Sequence, residues 1–232
     1  AVVSEMSDIE KKILATNPIM EAFGNAKTIR NDNSSRFGKY LQIMFDAKKN
    51  IIGAQIRTYL LERSRLVFQQ QSERNYHIFY QLLAGLPAAI KEELCISNPE
   101  QFYYLNQGSD PRIDGVDDAQ EFQDTIAALS VIGINDSLQM EVFKILAGLL
   151  HIGNIEIKQS STSSSISPDE PNLKLACELL GLDPYEFSKW LTKKEITTRS
   201  EKIVTNLKKE QALVVRDSVS KFIYSLLFDW LV

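Results

Sequence analysis

Two runs of alternating apolar residues flank one short polar turn in a chain whose other periods are almost all helical. In FGKYLQIMF, Phe37, Leu41, Ile43 and Phe45 share one face at period two, and in IIGAQIRTYLL, Ile52, Ala54 and Ile56 do the same. With DAKKN between them, the pattern predicts an antiparallel hairpin over residues 37–61. Before it, residues 6–23 read as a helix. Ile9, Ile13 and Leu14 keep helical spacing, Ser7 or Asp8 can cap the start, and Asn17-Pro18 predicts a kink or a break. After it, NYHIFYQLLAGL reads as a helix stopped by Gly85. DDAQEFQDTIAALSVIGI, with acids at its N-terminus, and NDSLQMEVFKILAGLLHIGNI, with an Asn/Asp cap, read as two more. Segments 171–181 and 183–193 read as shorter helices, and residues 207–232 as a long final one. The expected fold class is mainly α, with one β-hairpin.

Composition narrows the functions open to such a chain. At 232 residues and 44% apolar content it can build a real core. A net charge of −4 argues against general binding to nucleic acid, whose phosphates call for a basic surface. Cys95 and Cys177 sit far apart in apolar contexts and are expected to be buried, reduced thiols of the cytosol. With His77 and His151 the only histidines, no His/Cys metal site can be assembled; both are expected to be satisfied core residues. The longest apolar stretch, FIYSLLFDWLV, is too short and too interrupted to span a bilayer, so no membrane insertion is expected. The aromatic cluster Tyr76, Phe79 and Tyr80 reads as core packing. Residues 158–171, KQSSTSSSISPDEP, are low in complexity and read as a surface loop unable to order itself.

One stretch admits a reading beyond a purely structural one. NAKTIRNDNSSRFGKYL, residues 25–41, crowds Asn25, Asn31, Asn33, Ser34, Ser35 and Arg36 ahead of the first alternating run. Amides and hydroxyls supply neutral donors, hydroxyl oxygen is a hard ligand suited to Mg²⁺, and a guanidinium fork suits carboxylate or phosphate. An Asn/Ser-rich connection before a strand would have the same composition. Composition alone leaves both readings open.

The order of the residues carries more. From Asn25 to Lys39 the chain resembles the switch I loop of myosin motors almost residue for residue. Kinesins share the Asn-x-x-Ser-Ser-Arg core but continue Ser-His, whereas this chain continues Phe37-Gly38-Lys39. The resemblance extends through NPIMEAFGNAKT, IRTYLLERSRLV, ERNYHIFYQLLAG, HIGNI, LKLACELLG and DSVSKFIYSLLFDWLV. It is most similar to the motor domain of class V, fungal-type myosin heavy chains, over switch I and the upper 50-kDa region.

That resemblance implies a division of the chain and a set of roles. Residues 1–24 would lead into switch I at 25–39, and the hairpin would join the central sheet of a P-loop NTPase motor, an α/β parent fold. Residues 62–232 would form the helical upper 50-kDa region. The implied cofactors are ATP and Mg²⁺. Asn25 and Asn31 would approach the nucleotide, Ser34 would lie beside the γ-phosphate and hold the attacking water, and Ser35 would give its hydroxyl to Mg²⁺. Arg36 would pair with a switch II Glu and close the pocket. A loop at about 194–206 would touch actin. Its deciding residue lies sixteen positions before the Asp217-Ser218-Val219-Ser220-Lys221 motif, which is Glu201. Myosins carry an acid or a phosphorylatable residue there, so a permanent Glu implies actin engagement that does not wait for a kinase. An ordinary solvated turn is the alternative.

For the whole protein the resemblance implies an actin-activated Mg-ATPase at the cytoplasmic actin cytoskeleton. Cargo transport, dimerisation, and light chains or calmodulin and cargo adaptors bound through other regions are implied with it. No G-x-x-x-x-G-K-[ST] loop and no Asp-x-x-Gly-Phe-Glu occur in these 232 residues. The stretch is therefore expected to be inactive on its own and without a clean two-state transition, with Arg36 lacking a partner. Opening on Ala1-Val2-Val3 and closing inside an amphipathic helix at Val232, it reads as an internal window of a larger chain. A non-hydrolysing actin-binding module is the alternative function.

Overall fold

The computed structural model describes residues 6–108, 110–197 and 201–232. Helix α1 (Asp8–Gly24) opens with a reciprocal cap. The Glu10 amide donates to Ser7 Oγ (3.3 Å) while the Ser7 amide donates to Glu10 Oε2 (2.6 Å), so two orphan donors are satisfied together. Pro18 lies inside α1, and the helix runs through it to Gly24 instead of breaking at Asn17-Pro18. The reason is packing: beyond Pro18, Ile19, Met20, Ala22 and Phe23 are all buried, and that burial outweighs one lost backbone hydrogen bond.

Strands β1 (Asn25–Thr28) and β2 (Asn31–Ser35) form a small antiparallel pair, so the polar run is itself a tight hairpin and not an open loop. Strands β3 (Gly38–Phe45) and β4 (Ile51–Tyr59) pair from Gly38↔Tyr59 to Phe45↔Ile51, with a bulge between Met44 and Phe45. The register joins Leu41 to Ile56 and Ile43 to Ala54, as the period-two faces require. Among the described residues this ribbon pairs with no further strand; it rests on α1, and Lys39 Nζ donates to Asn17 Oδ1 (3.0 Å).

The rest is helical: α2 (His77–Gly85), α3 (Ala88–Glu93), α4 (Asp118–Val131) and α5 (Asp136–Asn154), followed by a minimal pair β5 (Lys158–Gln159) and β6 (Ser164–Ser165). Then come α6 (Pro171–Leu180), α7 (Pro184–Thr192), the hairpin β7 (Lys193–Thr197) and β8 (Lys202–Asn206), and α8 (Lys209–Leu231). The fold is thus mainly α, with four two-stranded antiparallel sheets among the described residues. The serine-rich segment is partly ordered, contrary to expectation: Ser164 is buried, and both its amide and its hydroxyl donate to Leu207 O at 2.8 Å. The expected actin-facing turn is two paired strands at its flanks; residues 198–200 lie outside the described residues. Cys177 is buried but Cys95 is exposed, because the chain turns outward there after α3 with a positive φ of 53°.

The core runs through α2, α5 and α8. Residues 77–83 of α2 are all buried, and α8 buries Ala212, Arg216, Ser220, Tyr224 and Phe228, one residue in every four. Tyr224 is fully buried; its ring stacks on Tyr76 (centroids 4.9 Å apart), and its hydroxyl donates to Phe23 O at 2.7 Å. That bond ties the last helix to the end of the first. Tyr224→Phe keeps the ring and strands the Phe23 carbonyl, so a loss of about 1–3 kcal/mol is expected. The thermal midpoint of the motor that contains this segment reads it, and an unchanged midpoint would count against the tie.

Candidate functional site

The candidate site is the β1–β2 pair and the residues that follow it. Gly24 ends α1, and its carbonyl accepts from the Arg36 amide (2.8 Å), which closes the small hairpin against the helix end. A Cβ at Gly24 would collide with the Phe37 ring, so this close approach requires glycine. On the other side, β1 bridges to Tyr76 through Ala26, and the Arg74 amide donates to Lys27 O (3.1 Å).

The pairing sets Asn25 opposite Ser35 and Ala26 opposite Ser34. Asn25 is buried, and its Nδ2 donates to Asn33 Oδ1 (2.9 Å); the same oxygen faces His77 Nε2 (3.2 Å), and Asn33 Nδ2 reaches Glu21 Oε2 (3.2 Å). Asn33 therefore anchors the strand, a role that the sequence reading did not give it. Asn31 sits at the far end of the pair, opposite Thr28, where its Oδ1 accepts from the Asn33 amide (2.8 Å) in a local turn. The structure thus brings Asn25, Ser34, Ser35 and Arg36 together and holds Asn31 apart from them.

Ser34, Ser35 and Arg36 have complementary free capacity. Arg36 Nη1 donates to Ser34 Oγ (3.1 Å), so the Ser34 O–H proton remains available to donate. Ser35 is exposed and its hydroxyl donates to Phe37 O (2.9 Å), which leaves oxygen lone pairs for a hard cation. These donor sets fit a phosphate oxygen or water at Ser34 and Mg²⁺ at Ser35. Arg36 is not without a partner, as the sequence reading expected: its Nε lies 2.6 Å from Glu62 Oε2. The Glu62 hydrogen bond, with its charge, raises the Arg36 pKa against the opposing effect of burial. Glu62 was missed, although the hairpin register carries the signal. Pairing Gly38 with Tyr59 and continuing outward brings Arg36 beside Glu62, whose amide donates to Arg36 O (2.9 Å).

His77 and His151 are satisfied core residues. His151 lies 3.2 Å from Asn172 Oδ1 and 3.0 Å from Leu94 O. Burial, and behind it the Arg74 charge, pushes the His77 imidazole down to about 3. His77 borders a cavity of about 170 Å³ lined also by Glu21, Asp32, Asp118 and Glu121, a charge set that would repel phosphate. A larger groove of about 470 Å³ between α5 and α8 is walled by Leu138, Val142, Leu182, Ile223, Leu226 and Trp230 and offers nothing for a phosphate. Glu201 is exposed, one residue before β8. No group of three or more His, Cys, Asp or Glu residues among the described residues could hold a metal, and no described helix is long and apolar enough to cross a membrane.

With this geometry established, family membership follows from comparison. The model of the myosin head (motor domain) family matches residues 2–232, and the chain belongs to that family. It is 68% identical over 228 residues to Myosin-2B of Naumovozyma castellii, covering 98% of this chain and 16% of that protein. It is 68% identical to Myosin-2 of Saccharomyces cerevisiae (98% and 14%) and 65% identical to Myosin-4 of the same organism (98% and 16%). The chain therefore spans about a sixth to a seventh of the length of these relatives.

One prediction follows from His77. In the unfolded chain a histidine takes up a proton near pH 6.5, but in the fold His77 does not until about pH 3, so acidification below 6.5 favours unfolding. The contribution reaches about 1.4 kcal/mol per pH unit. His77→Gln should flatten the fall of the motor's thermal midpoint between pH 6.5 and 5; equal slopes would assign that fall to other groups.

Proposed function

We propose that the protein to which this segment belongs is an actin-activated Mg-ATPase that couples hydrolysis to movement along actin filaments, of the class V, cargo-transporting kind. The observation that carries the reading is the cluster at the end of β2. Ser34 keeps a proton to donate, Ser35 keeps lone pairs for a cation, and Arg36 braces Ser34 from behind. Membership of the myosin head family supports it.

Bound Mg-ATP supplies the γ-phosphoryl group and the cation that neutralises charge developing on it. The chain's own residues position and stabilise, which is nearly all that phosphoryl transfer asks of a protein. Ser34 O–H would orient the attacking water or a phosphate oxygen, and Ser35 Oγ would be the ligand that holds Mg²⁺. Asn25, buried and fixed through Asn33, sets the inner wall of the nucleotide site, with Asn31 at its outer end. Arg36 fixes Ser34 and, in the whole motor, meets the switch II Glu. The β3–β4 ribbon belongs to the central sheet of a P-loop NTPase motor. Glu201, on the exposed β7–β8 hairpin, contributes a permanent negative charge to the actin contact. Light chains or calmodulin and cargo adaptors bind elsewhere on a dimeric protein.

This segment by itself carries no G-x-x-x-x-G-K-[ST] loop, so alone it neither cradles the phosphates nor hydrolyses ATP. In the whole motor, Arg36→Ala should reduce turnover by about 100-fold or more while nucleotide binding stays detectable. Turnover equal to wild type would remove Arg36 from the mechanism. Glu201→Gln should raise the actin concentration needed for half-maximal activation; an unchanged requirement would return that hairpin to an ordinary surface turn.

A further inference from the structure

Arg36 and Glu62 make an unequal pair. Glu62 is fixed from several directions. Its amide donates to Arg36 O (2.9 Å), and its carbonyl accepts from the Tyr76 hydroxyl (2.7 Å) and from the Arg65 amide (3.1 Å). Its Oε2 accepts from Arg36 Nε (2.6 Å) and Arg65 Nε (2.8 Å). Arg65 is buried and cannot swing away, because its Nη1 is held by Glu73 Oε2 (2.9 Å) and by Arg74 O (3.1 Å). Burial alone would push the Glu62 carboxyl up; the hydrogen bonds from Arg36 and Arg65 bring it below its ordinary value. The acid is an ionised post set in a rigid bed.

Arg36 is held far more lightly. It meets Glu62 through Nε alone, spends Nη1 on Ser34 Oγ, and its Nη2 makes no hydrogen bond to the described residues. A bidentate pair in the same molecule looks different. Arg74 grips Asp118 with both Nη1 (3.0 Å) and Nη2 (2.9 Å) and lies over the Tyr80 ring. Holding a guanidinium by its Nε edge fixes its plane and direction while leaving the outer edge able to donate.

We propose that Glu62 is the positioning residue for Arg36: it aims the guanidinium so that Nη1 stays on Ser34 and the Nη2 edge stays open for one further anionic group. The inference rests on the functional reading given above, since it matters only if Arg36 and Ser34 serve hydrolysis. Glu62 touches no reacting atom and acts through Arg36. Replacing its carboxylate with an amide keeps an acceptor but removes the charge that both arginines face.

The test is a double-mutant cycle in the complete motor, with Glu62→Gln made alone and in the Arg36→Ala background. In the single variant, the hydrolysis step in a single-turnover measurement should slow about tenfold. Affinity for a non-hydrolysable ATP analogue should change less than twofold. In the Arg36→Ala background, the same change should cost nothing further. Without nucleotide, the amides of Ser35, Arg36 and Phe37 should exchange with deuterium faster in Glu62→Gln than in wild type. If Glu62→Gln fails to fold, Glu62→Asp keeps the charge facing Arg65 and serves in the same cycle. Equal losses in both backgrounds would make Glu62 merely structural and overturn the proposal. So would unchanged hydrolysis and exchange in Glu62→Gln alongside a dead Arg36→Ala. An Arg36→Ala motor that turns over normally would instead overturn the functional reading itself.

Discussion

The clasp made by Tyr224 is the contact on which the rest of the site depends. Its hydroxyl caps the Phe23 carbonyl at the end of α1, and its ring lies on Tyr76 and, at 5.7 Å, on Phe79. Complete burial keeps the phenol protonated, so it remains a donor. One turn further along α8, Phe228 meets the Phe37 ring edge-on at 5.1 Å. Tyr76 in turn holds the Glu62 carbonyl. One face of the last helix thus fixes the end of α1, the exit from β2 and the bed of Glu62 together. Ser34, Ser35 and Arg36 lie between those three fixed points.

Charge is used in two ways around that frame. Arg65, Arg74 and Arg216 are buried, and each meets a carboxylate at hydrogen-bond distance. Arg216 also reaches Gly153 O, and its partner Asp217 accepts from the Tyr104 hydroxyl. Removing one member of such a buried pair typically costs about 3–5 kcal/mol. Arg36 is half-buried and only partly engaged. Arg36 differs from these three in its burial and in spending Nη1 on the Ser34 hydroxyl.

Much of the fold is legible in the sequence because its helices and the β3–β4 ribbon obey their periods. Ser7-x-x-Glu10 announces α1, Asn135 caps α5 by accepting from the Leu138 amide, and Gly181 takes the left-handed turn after α6. Pro18 misled, because a local rule about backbone donors says nothing of the four residues buried beyond it. The ordering of Ser164 was invisible for a similar reason: its partner, Leu207, lies 43 positions away and is a backbone carbonyl. Of the site, the motif exposed Ser34, Ser35 and Arg36 together, while Asn33 as an anchor and Glu62 as a partner needed the strand register. Cys95 fell outside because its neighbours are apolar but its backbone turns away from them.

The β3–β4 ribbon carries a further consequence. Every residue of β3 is exposed, including Tyr40, Leu41, Ile43, Met44 and Phe45, and both strands leave an outer edge unpaired among the described residues. Such an edge offers a row of amides and carbonyls to any extended chain that arrives. For an isolated preparation of this segment, the nearest extended chain is another copy of itself. Its working concentration, as much as its composition, then decides whether it stays dispersed or seeds a fibre.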